Sequence, residues 1–381
     1  MLTVKALNAD TSFLVTFSPS LAPRGVSAAQ LPGSFTILVD PWLQGPAQIL
    51  SSKFSVSQHK TQSCVSSLAE LPEPGMVLIS QDKPDHCHEE TLKQLPPNSG
   101  SIILAAPAAA KKIRRWNHFP RGSVHALEPF SATDDSRIFR LEIPSFSSSG
   151  LPGEVTVALM CPKRDISGLH NAIGITYRAP TSALSPTRTA YIELPPTPPL
   201  SPSPSPALGR TSSMASLKIS NPLPFPAPYS PRPLTPSSVT PLDRERTLSL
   251  LYSPHGVSYS VIEPYASTHL IQQSALPLTA LLHSFDRVDN PWYLGGNIAT
   301  GALGGSDIAR QLMAKCWVGA HDEEKDNRGL SVIKLKVRRM DVAELQHSLE
   351  EGGIPTKVAR LRPGADVKVR ADEGLSVNGM L

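Results

Sequence analysis

The stretch that most constrains this chain is the passage from Met76-Val77-Leu78-Ile79 into Ser80-Gln81-Asp82-Lys83-Pro84-Asp85-His86-Cys87-His88. Four consecutive apolar residues read as a buried strand, and the abrupt change to charged and ligand-type side chains marks a loop at its end. Loops held by a rigid strand are where layered folds present metal-binding and catalytic groups. The stretch thus fixes one strand end and a first pair of candidate ligands, Asp85 and His86.

The local signals elsewhere mix strands with helices. Leu2 to Ala6 and Ser12 to Phe17 read as paired strands around Asn8-Ala9-Asp10, and Ile37 to Val39 as a short buried strand. Val155 to Cys161, Ala172 to Tyr177, Leu248 to Tyr252 and Ser258 to Ile262 supply later strands. Helices are expected at Glu89 to Gln94, at Ala108 to Trp116, from Ser306 as an N-cap, and from Asp341 to Glu350, stopped by Gly352-Gly353. This mixture suits two packed sheets flanked by helices. Trp292 and Tyr293, before the glycine-rich run 295–305, suit a pocket wall or the core. That run lacks the Gly-Lys-Ser/Thr ending of a phosphate loop.

Between Leu194 and Pro241 the composition changes sharply, with 15 of the chain's 39 prolines. Proline cannot donate to a ladder or a helix, and the stretch offers too little apolar surface to offset ordering. A disordered or polyproline-like excursion is expected at 194–241, inside one domain spanning 1–381. Its Ser-Pro and Thr-Pro pairs and Arg210-Thr211-Ser212-Ser213 suit kinases or PxxP-reading partners, and an unmodified spacer fits them equally.

Lys+Arg 36 against Asp+Glu 32 gives a net charge of +4. The two basic clusters, 111–115 and 334–339, lack the interleaved aromatics of a single-strand nucleic-acid groove and read as a solvated helix face and a strand-edge pattern. Four scattered cysteines make no disulfide framework, which points to a reducing compartment. The N-terminus lacks a secretory pattern, and no apolar run is long enough to span a bilayer. A cytoplasmic protein with neither nucleic-acid nor membrane partners is expected.

The loop of Asp85 and His86 resembles the H-x-H-x-D-H metal motif of the metallo-β-lactamase superfamily, with Gln81 and Lys83 where the first two histidines would stand. Four more stretches resemble that superfamily in the same order. Residues 36–42 look like the strand and Asp-Pro-Trp turn of its lactonase-like branch, 168–174 the third motif with His170, 250–256 the strand and turn that normally end in Gly-Asp, and 318–322 the last motif with His321. Five ordered matches across residues 3–335 carry the resemblance better than any one of them.

The resemblance implies a four-layer αββα sandwich, mixed α/β, with the site at one edge between the sheets. The first metal position would be offered Gln81, Lys83 and His170, of which only His170 is a good ligand; the second would be offered Asp85, His86, His255 and His321. One divalent metal is implied, zinc first, with iron or manganese also suited to that donor set. Asp40 would orient the loop through hydrogen bonds. The implied function is a metal-dependent hydrolase using one metal-activated water on an ester, lactone or phosphoester. Lys83 and His170 would face the vacated position, Lys83 holding an anionic group of a small-molecule substrate. The competing reading is a catalytically inactive protein of the same fold, acting as an interaction module.

Overall fold

Apolar side chains alternate inward along Leu2–Ala6, with Leu2, Val4 and Ala6 buried and Thr3 and Lys5 less so. This period of two is that of a strand with one face on a core. The computed structural model describes residues 1–19, 31–145, 150–163, 165, 167–181, 246–370 and 375–380. The Pro/Ser-rich stretch 194–241 lies outside the described residues.

Among the described residues the strands form two large sheets. The first runs, edge to edge, Leu375–Met380, Leu361–Val369, Leu2–Ala6, Phe13–Phe17, Phe35–Val39, Met76–Ile79, Ile102–Ala105 and Val124–Ala126. The second runs Lys357–Ala359, Cys316–Gly319, Ala280–His283, Leu248–Ser253, Ala172–Arg178, Gly153–Met160 and Phe139–Ile143. Their inner faces share one core, in which Val4, Val15, Ile37 and Leu78 meet Val157, Ile175, Leu250 and Leu282. Each such side chain, fully buried, contributes roughly 1.5–3 kcal/mol. The exposed Lys93–Glu89 pair contributes about 0–1 kcal/mol, so packing and not surface charge holds the sandwich.

Helices cover both outer faces. Glu89–Leu92 and Pro107–Arg115 place Leu92, Ala109, Ala110 and Ile113 on Val77, Ile79 and Ile103 of the first sheet. Tyr259–Tyr265, Ala302–Gln311 and Val342–Glu351 place Ile262, Ile308 and Leu345 on Leu251, Leu281 and Trp317 of the second. The result is the expected four-layer αββα sandwich. Two glycines let the helical layer approach the sheet: a Cβ at Gly174 would lie 2.4 Å from the Tyr265 ring, and one at Gly305 2.1 Å from Trp317.

Two local expectations are corrected. Ser258 to Ile262 is not a strand, because Tyr259–Tyr265 is a helix whose Ile262 and Tyr265 bury against the second sheet. Tertiary burial has overridden the β-branched character of Val261 and Ile262. The later helix starts at Ala302 and not at Ser306, because Gly301, at φ 65°, turns the chain where a Cβ would strike Arg287. The other expected strands and helices stand within a few residues of their observed ends.

Candidate metal centre

The strands Phe35–Val39 and Met76–Ile79 are parallel neighbours, with Val39 opposite Leu78. Asp40 and Ser80 therefore leave the sheet side by side. Asp40 adopts a left-handed φ of 40°, its amide donating to Leu78 O at 2.9 Å, and its carboxylate turns inward. There it accepts from the Ser80 amide at 2.7 Å, from the Ser80 hydroxyl, from the Tyr252 hydroxyl at 2.7 Å, and from His86 Nδ1–H at 2.7 Å. In the second sheet, Leu248–Ser253 and Cys316–Gly319 flank Ala280–His283 in parallel, so His255 and His321 emerge together just beyond strand ends. His321 too is left-handed, at φ 69°, with its amide on Asp10 O at 2.9 Å.

The two sheets thus bring His86, His255 and His321 to one point, with ligand nitrogens within 4.8 Å of one another. Two of the three rings have their Nδ1 atoms committed. His86 Nδ1 faces the Asp40 carboxylate, and His255 Nδ1 faces Ile298 O at 2.9 Å. Neither acceptor carries a proton to give, so each Nδ1 is the N–H donor, an assignment made from the network. With both rings neutral, both Nε2 atoms carry lone pairs, and they point at each other across 3.0 Å. Two facing lone pairs at that separation repel unless a proton or a cation lies between them.

Carboxylates complete the cluster. Asp85 Oδ2 stands 3.9 Å from His86 Nε2 and 4.0 Å from His321 Nε2. Asp10 binds His321 Nδ1 at 3.1 Å and Lys325 Nζ at 2.8 Å, and Lys325 also lies 3.1 Å from His321 Nδ1 and 3.9 Å from Asp85. Burial raises the Asp10 and Asp85 carboxyls, but the surrounding positive groups outweigh it and both lie below their usual range, Asp10 well below. Burial opposes the Lys325 charge, and Asp10 and Asp85 more than restore it. His255 is held well below its ordinary value by burial and by His321 and His86, while Asp85 and Asp40 lift His86 against the same burial.

The donor set fits a divalent cation. Tetrahedral zinc with nitrogen bonds of about 2.0–2.1 Å needs donors roughly 3.3 Å apart, close to the separation of the His86 and His255 nitrogens. Asp10 and Asp85 face the Lys325 ammonium and Asp40 faces His86, so three carboxylates stand around one lysine, an excess of negative charge that suits a cation. Asp40 supplies the orienting contact that such a ligand histidine ordinarily has.

The remaining residues singled out in the sequence are not among the three whose nitrogens converge. His170 Nδ1 faces Gly256 O at 2.9 Å and its Nε2 faces Asn297 O at 3.0 Å, and a neutral ring donates to only one of these carbonyls. Lys83 sits 3.1 Å from Asp82, 30% exposed. Gln81 donates to Leu169 O at 3.0 Å. Cys87 is a buried thiol that burial pushes up to about 12, inert as a nucleophile. Trp292 and Tyr293 are neither core nor wall: they are 88% and 55% exposed. Asp10 and Lys325 were not anticipated. An acid in the first hairpin turn and a lysine four residues after His321 were the available signals.

No family model matches the sequence, and no curated protein matches it. Solved structures that align with it include an isothiocyanate hydrolase from Delia radicum gut bacteria, at 12% identity over 97% of this chain and 100% of that one, with a TM-score of 0.48. A novel metallo hydrolase from the hyperthermophilic archaeon Ignicoccus hospitalis aligns at 11% over 98% and 99%, with a TM-score of 0.45. A metallo-beta-lactamase fold protein from Bacillus subtilis aligns at 10% over 96% and 99%, with a TM-score of 0.39. These likenesses stand beside a fold of two large sheets flanked by helices, the four-layer αββα sandwich described above. Within that fold the three imidazoles and Asp85 stand at the lip between the sheets, where Asp40 and Tyr252 reach across from opposite sides.

Proposed function

We propose that the protein is a metal-dependent hydrolase with one divalent ion, zinc before iron or manganese, held by Asp85, His86, His255 and His321. The observation that carries this reading is the pair of committed imidazoles whose free nitrogens meet at 3.0 Å. When bound, the ion would supply Lewis acidity that makes a water nucleophilic near neutral pH. Asp40 fixes the rotation of His86 and keeps its proton on Nδ1, Ile298 O does the same for His255, and Asp10 steadies His321. Lys325, not Lys83, is the ammonium beside the ligands, and it holds Asp10 in place. An ester, lactone or phosphoester is the substrate class this arrangement suits.

A second reading has its own observation. The Lys325 ammonium lies 3.9 Å from Asp85 and opposes a cation there, as it would in a non-hydrolytic protein of this fold. The deciding experiment is metal titration of the chelator-stripped protein followed by assay on p-nitrophenyl esters, lactones and phosphodiesters. Binding of one ion with turnover that His86→Ala abolishes supports the hydrolase. A folded protein that takes up no zinc, iron or manganese is the interaction module.

A further inference from the structure

Eleven large apolar side chains are exposed among the described residues, and five of them, Trp292, Tyr293, Leu330, Ile333 and Val337, fall in two short segments, 287–299 and 326–339. Residues 287–299 and 334–338 are one surface, whereas Asp326–Arg328 pairs with the Ser55–Gln58 strand in a separate small sheet. Val337 pairs with Val288, Val288 pairs with Ala299, and Lys334 Nζ donates to the Tyr293 hydroxyl at 2.9 Å. The Trp292 and Tyr293 rings stand edge to face with centroids 5.8 Å apart, and Trp292 is 88% exposed.

The joined stretches hold four Lys and Arg, Arg287, Lys334, Lys336 and Arg338, against the single acid Asp289, a surplus of three in a chain whose whole formal surplus is +4. Arg287 pairs with Asp289, Arg328 with Asp326, and Arg339 with Glu324, so Lys334, Lys336 and Arg338, all exposed, carry the excess outward. The surface is coupled to the candidate metal centre through backbone, because Ile298 O holds His255 and Asn297 O holds His170.

We propose that this surface docks on an anionic phospholipid membrane. Trp and Tyr are the side chains that lodge at the headgroup level, aliphatic neighbours bury in the acyl boundary, and interspersed Lys and Arg meet the negative lipid charge. A duplex nucleic acid would use the cations but would leave the exposed Trp292, Tyr293 and Val337 in water. The proposal revises the expectation of no membrane contact, which rested on the lack of a spanning segment; this contact is peripheral, and no described helix is long and apolar enough to cross a membrane. It does not depend on hydrolysis.

The test is sedimentation of the full chain with vesicles of phosphatidylcholine alone or mixed with phosphatidylserine. The expected result is binding to the mixed vesicles, released by salt, with a blue shift of tryptophan emission that Trp292→Phe removes. Trp292→Ala with Tyr293→Ala, and Lys334→Glu with Lys336→Glu, should each lower partitioning by about fivefold or more, with melting temperatures unchanged. Equal partitioning of wild type and variants, equal binding to neutral vesicles, or binding to duplex DNA with none to vesicles would overturn it.

Discussion

Asp40 Oδ2 and His86 Nδ1 stand 2.7 Å apart with neither side chain exposed to solvent. Asp40→Asn keeps the volume but offers an amide where a carboxylate fixed the tautomer. Metal affinity, read by competition with a chelating dye, should fall about 10–100-fold. The unfolding free energy read from urea titration should fall too, by about 1 kcal/mol or more, since a buried donor loses its acceptor. Unchanged affinity would take Asp40 out of the site's construction.

Metal analysis should give one ion per chain. Gln81→His with Lys83→His restores the motif's histidines, yet no second ion is expected, because the His170 ring is wedged between Gly256 O and Asn297 O, and presents neither nitrogen to that position. A second ion in that variant would show that His170 turns freely.

His255→Ala and His321→Ala should weaken metal binding by comparable factors, since each removes one nitrogen from the same cluster. His255→Asp should retain a single ion. If His255 serves only its bond to Ile298 O, affinity will be untouched and only a small loss of stability will appear.

Two histidines away from the ligand set give a pH signature. Burial holds His269 and His283 at about 4, below their ordinary 6.5. As pH falls through 6.5 the unfolded chain takes up these protons and the folded chain does not, so stability is whole above that value and declines toward 4. Denaturant midpoints across the window should show the decline, and His269→Gln should flatten it; a slope unaltered by that change would assign the effect elsewhere.

How much of this was legible follows the range of each interaction. Asp40, Asp85 and His86 could be placed from local context, because each sits one loop beyond an apolar run that could only be a strand. Lys325 and Asp10 could not, being 315 residues apart and brought together by sheet pairing alone. Lys83 was assigned by its register in the motif, and a neighbouring aspartate, which no spacing rule weighs, holds it instead. The exposure of Trp292 was equally hidden, since an aromatic residue beside glycines reads the same whether it faces inward or out.

Protease cleavage within 194–241 should leave two fragments that co-purify until denaturant is added. The strands on either side, Ala172–Arg178 and Leu248–Ser253, pair antiparallel from Ile173 opposite Tyr252 to Tyr177 opposite Leu248, deep in the second sheet. Fragments that separate in native buffer would mean that this pairing does not hold the halves.

The contacts that assemble the cluster span 46, 169 and 311 residues of chain, so the cluster exists only once the sandwich has closed. An ion seated there would work as a rivet through the lip of both sheets. It adds nothing to a transition state in which the lip is still open, and so the rate of refolding should be indifferent to it. The rate of opening should not: loaded protein should persist far longer in denaturant than stripped protein, its lifetime set by how often the rivet comes out.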